Sequence, residues 1–184
     1  MNTPDEKLVR VVEALKGIGL EARFVEGASG FVPNIAIEAG VLLVDPRAQV
    51  SSLLHEAGHL ASVPARFRHY VGRSLSAALK RMWEEVEGED PEGPLCRAVL
   101  QCSDPEATAW AYAFGTHLGF APEVIILDSE YDNTGEDIRA SLVAHRYIGI
   151  NGLAAAGFCA VNARVAAYRN LPAYPKMAFW TQEL

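Results

Sequence analysis

The chain has 184 residues, half of them apolar and about a fifth charged, a balance that fits one well-buried globular domain and excludes a disordered or fibrous protein. Its net charge of −7, with 16 Lys and Arg residues scattered along the chain, repels phosphate backbones and argues against direct nucleic-acid binding. The three cysteines, Cys96, Cys102 and Cys159, are odd in number and lack CxxC spacing, so neither a disulfide framework nor a cysteine zinc site is expected and a reducing cytoplasm fits best.

Residues 1–7 are charged and lack the basic start and apolar run of a signal peptide. The most lipid-like stretch, 148–161, is too short to cross a bilayer as a helix, so no membrane partner is expected. Residues 5–15 carry Leu8, Val9, Val11, Val12 and Leu15 at helical spacing after Pro4, and Gly17 and Gly19 stop that helix. Three short segments rich in β-branched and aromatic residues, 21–25, 34–38 and 41–44, predict strands. Ala39-Gly40 between the last two reads as a hairpin turn, giving a small, partly antiparallel sheet. At Asp45-Pro46 the pattern changes to helix, with Asp45 as cap and Pro46 at the first helical position, running to about Ser62.

Pro64 ends that helix. Val71, Leu75, Leu79, Met82 and Val86 mark the next one, and the acidic stretch 88–94, which contains Gly and Pro, is the expected flexible loop. Asp104-Pro105 opens a helix over 106–118. Beyond Gly119 an extended run is expected at 124–127, then an acidic turn at 128–133, then a helix from a capping-box-like Thr134-Gly135-Glu136-Asp137 to about Tyr147. The Ala- and Gly-rich segment 149–168 predicts a tightly packed core helix, broken near Gly157. The tail 171–184 holds Tyr174, Phe179 and Trp180 but shows no pattern that decides its packing. The expected architecture is a mostly helical α+β fold in one domain over 1–184, with a core at about 5–118 and a helical extension at about 119–184.

The chemistry concentrates in His55-Glu56-Ala57-Gly58-His59. Two imidazoles four residues apart lie one turn above each other on a helix, a geometry that suits a single metal ion. Neutral imidazole is a good zinc ligand, and Glu56, offset by about 100° from His55, can sit beside the metal and accept a proton from a zinc-activated water. A catalytic zinc wants three protein ligands and one open position. Glu106 is the candidate third ligand, because a helix N-terminus favours an ionised carboxylate; the same position also fits a carboxylate that only stabilises the helix. Asp104 is an alternative ligand, although its place before Pro105 reads more simply as an N-cap. His69, His117 and His145 are further candidates for ligand or oxyanion roles, with His145 and Tyr147 the better oxyanion pair. His117 stands three turns, about 16 Å, from Glu106, so the two cannot share one ion on a continuous helix.

His55-Glu56-Ala57-Gly58-His59-Leu60, followed downstream by Glu106-Ala107-Thr108-Ala109-Trp110-Ala111, resembles the ImmA/IrrE family of minimal zinc peptidases. The resemblance implies a zincin-like, minimal gluzincin fold, with His55, His59 and Glu106 as zinc ligands and Glu56 as catalytic acid/base. It also implies a protein or peptide substrate, for several members a repressor cleaved as a regulatory step. Two other functions fit the same residues: a regulatory binding protein that keeps a metal without turnover, and a metal hydrolase acting on a non-peptide amide.

Overall fold

The computed structural model describes residues 3–131 and 134–184. Helix α1 (Glu6–Gly17) starts where the Asp5 carboxylate accepts the Lys7 amide at 2.7 Å, and it buries Leu8, Val11, Val12 and Leu15 along one side. Strands β1 (Ala22–Phe24), β2 (Ile35–Glu38) and β3 (Val41–Val44) form one mixed sheet in the order β1-β3-β2. The hairpin runs antiparallel from Ile35↔Val44 to Glu38↔Val41, while β1 lies parallel to β3. Its turn residues, Ala39 and Gly40, take φ of 48° and 83°, the left-handed pair that matches the strand twist. Gly40 is required twice over, because a Cβ there would sit 2.8 Å from the Arg68 carbonyl oxygen. β2 is left as an edge.

The sheet leads into α2 (Val50–Ser62), which is almost wholly buried. Asp45 does not cap it. Its carboxylate instead accepts the amides of Arg47 at 2.9 Å and Gly27 at 2.5 Å, closing a turn, and the helix begins four residues beyond the expected Pro46. A short polar side chain that can bond its own backbone two residues on competes with helix initiation, and here the turn wins. After a 3₁₀ turn (Ala65–Tyr70) comes α3 (Leu75–Glu85), capped by Ser74. The expected loop then gives way to α4 (Pro94–Leu100), whose Pro94 stands in the first turn, where a missing N–H is harmless.

Helix α5 (Asp104–His117) is the centre of the molecule. Every residue from 106 to 115 is buried, as expected of a helix packed on all sides. It packs most extensively on α2, and Gly58 sets that approach: a Cβ there would stand 2.5 Å from the Ala107 carbonyl oxygen. Of the expected extended run at 124–127, residues 126 and 127 are extended, while 124 and 125 belong to a short helix, α6 (Pro122–Ile125), nucleated by Pro122 in its first turn. A 3₁₀ turn (Asp128–Glu130) and α7 (Gly135–Val143) follow. Asp132 and Asn133 of the expected acidic turn lie outside the described residues. Helix α8 (Gly149–Ala155) packs on α5, and α9 (Ala163–Arg169) is separated from it by a break at Gly157, φ 89°.

The tail packs. Trp110 Nε1 donates to the Trp180 carbonyl at 2.9 Å, and the Gln182 amide donates to Ala61 at 2.9 Å. One hydrophobic core runs from Leu8 to Tyr174 and includes Leu153, Phe158 and Cys159, so residues 119–184 complete the core rather than extend it. Among the described residues no helix is long and apolar enough to cross a membrane.

Candidate metal centre

Helix α2 carries His55, Glu56 and His59 toward one cleft. His59 is 5 % exposed and the two histidine rings meet edge to face, 4.9 Å between centroids. From the start of α5, Asp104 Oδ1 approaches His55 Nε2 at 3.5 Å and His59 Nε2 at 3.2 Å. Hydrogen-bonding contact with His55, then with His59, holds the Asp104 carboxyl well below the usual carboxylate range. It is therefore an ionised donor.

These distances test whether a metal fits. Two ligand atoms bound tetrahedrally at about 2.1 Å from zinc stand about 3.4 Å apart, close to both separations to Asp104. All three donor atoms lie within 4.8 Å of one another, and two imidazole nitrogens with one carboxylate oxygen is a donor set that zinc takes in catalytic sites. Support behind the ligands is uneven. His55 Nδ1 lies 3.3 Å from Thr108 Oγ1 and 3.5 Å from the Tyr131 hydroxyl, which fixes the ring with Nε2 facing the cleft. His59 Nδ1 is buried without a protein hydrogen-bond partner among the described residues.

The structure differs from the sequence expectation in the third donor. Glu106 is buried and turned back on its own helix: its Oε2 accepts the Ser103 amide at 3.2 Å and the Ser103 hydroxyl, completing a capping box. Its Oε1 fills the space beside Gly152, where a Cβ would come within 2.0 Å. Asp104 and Glu106 are two residues apart, about 200° around the helix, so they cannot both face the histidines. The correction follows from which residue caps α5. With Ser103 as N-cap, Asp104 becomes the first helical residue and is released toward the cleft. The pattern Ser103-x-x-Glu106 carries that signal in the sequence.

The chain matches no family model, no curated protein and no solved structure.

What the centre can do therefore follows from its own surroundings. His55, Glu56, His59 and Asp104 line one cleft of about 910 Å³. Asn34 and Ile37 of the edge-strand region form one border, Leu75 and Leu79 of α3 another, and Glu130 and Tyr131 a third. Ser52 on α2 donates to Glu130, tying the last border to the helix that carries the two histidines. Burial pushes the Tyr131 phenol up to about 12, so it remains a proton donor at neutral pH. Tyr131 and Thr108 carry no local signal in the sequence, because their roles arise from tertiary packing behind His55. Of the other candidates, neither His145 nor Tyr147 is among the cleft-lining residues. His145 stands against the Tyr174 ring, His117 against Trp180 and His69 against Tyr70. The Cys102 and Cys159 thiols are buried and pushed up to about 12, which removes both as thiolate nucleophiles or ligands.

Proposed function

We propose that this protein is a zinc-dependent peptidase whose metal is held by His55, His59 and Asp104. The observation that carries the reading is the convergence of two imidazole Nε2 atoms and one ionised carboxylate oxygen at separations of 3.5 and 3.2 Å, on a cleft also lined by Glu56. A zinc ion bound there supplies Lewis-acid polarisation of a carbonyl and lowers the pKa of water to about 7.

The chain's own groups do the rest. Glu56, one residue after His55, accepts the proton of the attacking water and passes it to the departing amine, so that neither a strong base nor an amide anion has to form. Thr108 and Tyr131 hold the His55 ring in place from behind. β2, the edge strand beside the cleft, offers unpaired backbone groups to which an extended peptide can add as a further strand. An edge strand beside the cleft suits an extended peptide better than a small amide.

The test is elemental analysis joined to an assay with a fluorogenic peptide library. The expected result is about one zinc per chain and cleavage; Glu56→Gln keeps the metal and abolishes cleavage, whereas His59→Ala loses both. A chain that takes up no zinc sinks the reading. One that binds zinc but cleaves nothing, with a biological effect that survives Glu56→Gln, is a binding protein instead.

A further inference from the structure

Outside the metal cleft the chain holds a second concavity, of about 410 Å³, between the end of α3 and α4. Its floor is apolar: Val86 and Cys96 are buried, and two large side chains, Trp83 and Leu100, remain 43 % and 50 % exposed at its lips. Its rim has one sign of charge, with Glu84, Glu87 and Glu89 lining it and no Lys or Arg among the lining residues. Among the described residues only Glu84 of these three has a basic partner, Lys80 at 3.9 Å. The groove thus combines uncovered apolar surface with uncompensated negative charge, which fits an occupant that is apolar at its centre and basic at its flanks.

The groove and the cleft are separate concavities that share helix α3 as a wall. Leu75 and Leu79 line the cleft and Trp83 lines the groove, at i, i+4 and i+8 along one side of α3. The apolar track from Leu75 to Trp83 rises about 12 Å, a length spanned by about four residues of extended peptide. The spacing of Leu75, Leu79 and Trp83 on one helix therefore sets the distance between a segment held in the cleft and one held in the groove.

We propose that the α3–α4 groove is an exosite for the protein substrate, docking a segment in which a large apolar side chain is flanked by Lys or Arg, about four residues beyond the part held at Leu75. The substrate role rests on the peptidase reading of the metal centre; the binding does not. Trp83 and Leu100 grip the apolar side chain, and Glu87 and Glu89 face its basic neighbours. The apolar contact carries most of the affinity and the rim carries the salt dependence.

The probe is a fluorescein-labelled acetyl-Lys-Lys-Leu-Phe-Lys-Lys-amide, titrated with the full chain by anisotropy at about 50 and about 300 mM salt. A companion peptide has Ser-Ser in place of Leu-Phe. The expected result is binding of the first peptide about tenfold tighter than the second, and loss of that difference in Trp83→Ala. Leu100→Ala, on the opposite lip, gives the same loss and guards against a folding defect in the first variant. Glu87→Gln with Glu89→Gln weakens binding and flattens its salt dependence. Equal affinity for the two peptides, or no effect of either lip variant, reduces the groove to a general attraction for polycations and overturns the proposal.

A second readout uses the zinc-loaded chain and two fluorogenic substrates, one carrying the Leu-Phe-Lys-Lys anchor and one lacking it. Trp83→Ala is expected to raise KM for the anchored substrate alone and to leave kcat unchanged. Specific peptide binding with no cleavage of either substrate sinks the peptidase reading while the docking surface stands. Cleavage of both substrates with no anchor effect sinks the exosite while the peptidase stands.

Discussion

Asp104 and Glu106 are both carboxylates in the first turn of one helix, yet the structure gives them opposite surroundings. Asp104 meets two imidazoles at the cleft, and Glu106 is locked to Ser103 beneath Gly152. Two substitutions separate ligand from cap. Asp104→Asn is expected to cut zinc affinity at least about tenfold, because an ionised donor is replaced by a neutral amide. Glu106→Gln keeps the capping box, which accepts Gln as readily as Glu, and leaves zinc affinity near that of the unmodified chain. Competition with a chromophoric chelator measures both; the reverse ranking returns the third-ligand role to Glu106. Thr108→Val removes the oxygen 3.3 Å from His55 Nδ1, and zinc affinity is expected to fall by about tenfold or more, the usual effect of losing a partner behind a ligand. An unchanged affinity in the same titration assigns the anchoring of the ring to Tyr131.

Asp45 gives the pH-dependent prediction at the same scale. Hydrogen bonds from the Arg47 side chain, with further help from the Arg47 and Gly27 amides, hold its carboxyl well below the usual value of 3.8. A carboxyl whose folded pKa is depressed adds stability that is fully present above its unfolded pKa of about 3.9 and is lost as pH falls below it. Denaturant midpoints of the unmodified chain and of Asp45→Asn are therefore expected to differ most above pH 5, to begin to narrow below about pH 4, and to close only as pH falls through the depressed folded pKa. A gap that stays constant from pH 6 to pH 3 would mean that the ionised form of Asp45 contributes nothing.

At the scale of elements, α2 and α5 meet through Gly58, and their meeting places the histidines opposite Asp104. The neighbours of a Cβ on residue 58 are the backbone Cα and carbonyl oxygen of Ala107, at 2.8 and 2.5 Å, which cannot rotate away as a side chain can. Gly58→Ala is expected to destabilise the fold by about 1–3 kcal/mol, the range for overpacking, and to weaken zinc binding by moving Asp104 off the histidines. Thermal melts with and without zinc check both effects; a stable variant with normal metal affinity shows that α5 can shift without disturbing the centre. Elements with a strong local signal were legible in the sequence: the hairpin at Ala39-Gly40, the stop at Pro64 and the run of α2 to Ser62 all rest on side chains within a few residues. Asp45 and α6 were misread, and α4 went unassigned, because Pro and Asp serve turns and helix starts alike, and only the tertiary context selects between them. The two histidines and Glu56 were legible by periodicity. Asp104 was legible only as the alternative to Glu106, because its role depends on Ser103, not Asp104, being the cap and on the approach that Gly58 permits.

At the scale of the molecule, residues 119–184 support a centre whose three donors, His55, His59 and Asp104, all precede them. Gly149 and Gly152 of α8 press on Pro105 and Glu106, at the very start of α5. Gln182 accepts the Ala65 amide and donates to Ala61, immediately beyond His59. Trp180 packs on Trp110 and Phe114 of α5, with ring centroids at 6.1 and 4.9 Å. An extension folding apart from a 5–118 core would melt apart from it; a shared core must melt once. Trp180→Ala takes an aromatic side chain from that shared cluster. Since Trp180 is only partly buried, the cost should fall somewhat below the full range for a core tryptophan, at about 2 kcal/mol. The loss is expected to lower the whole transition, with far-UV circular dichroism and tryptophan fluorescence following one superimposable curve in both the parent chain and the variant. Two separated transitions, with zinc shifting only the first, would show that residues 119–184 form a unit of their own and that the centre does not need them.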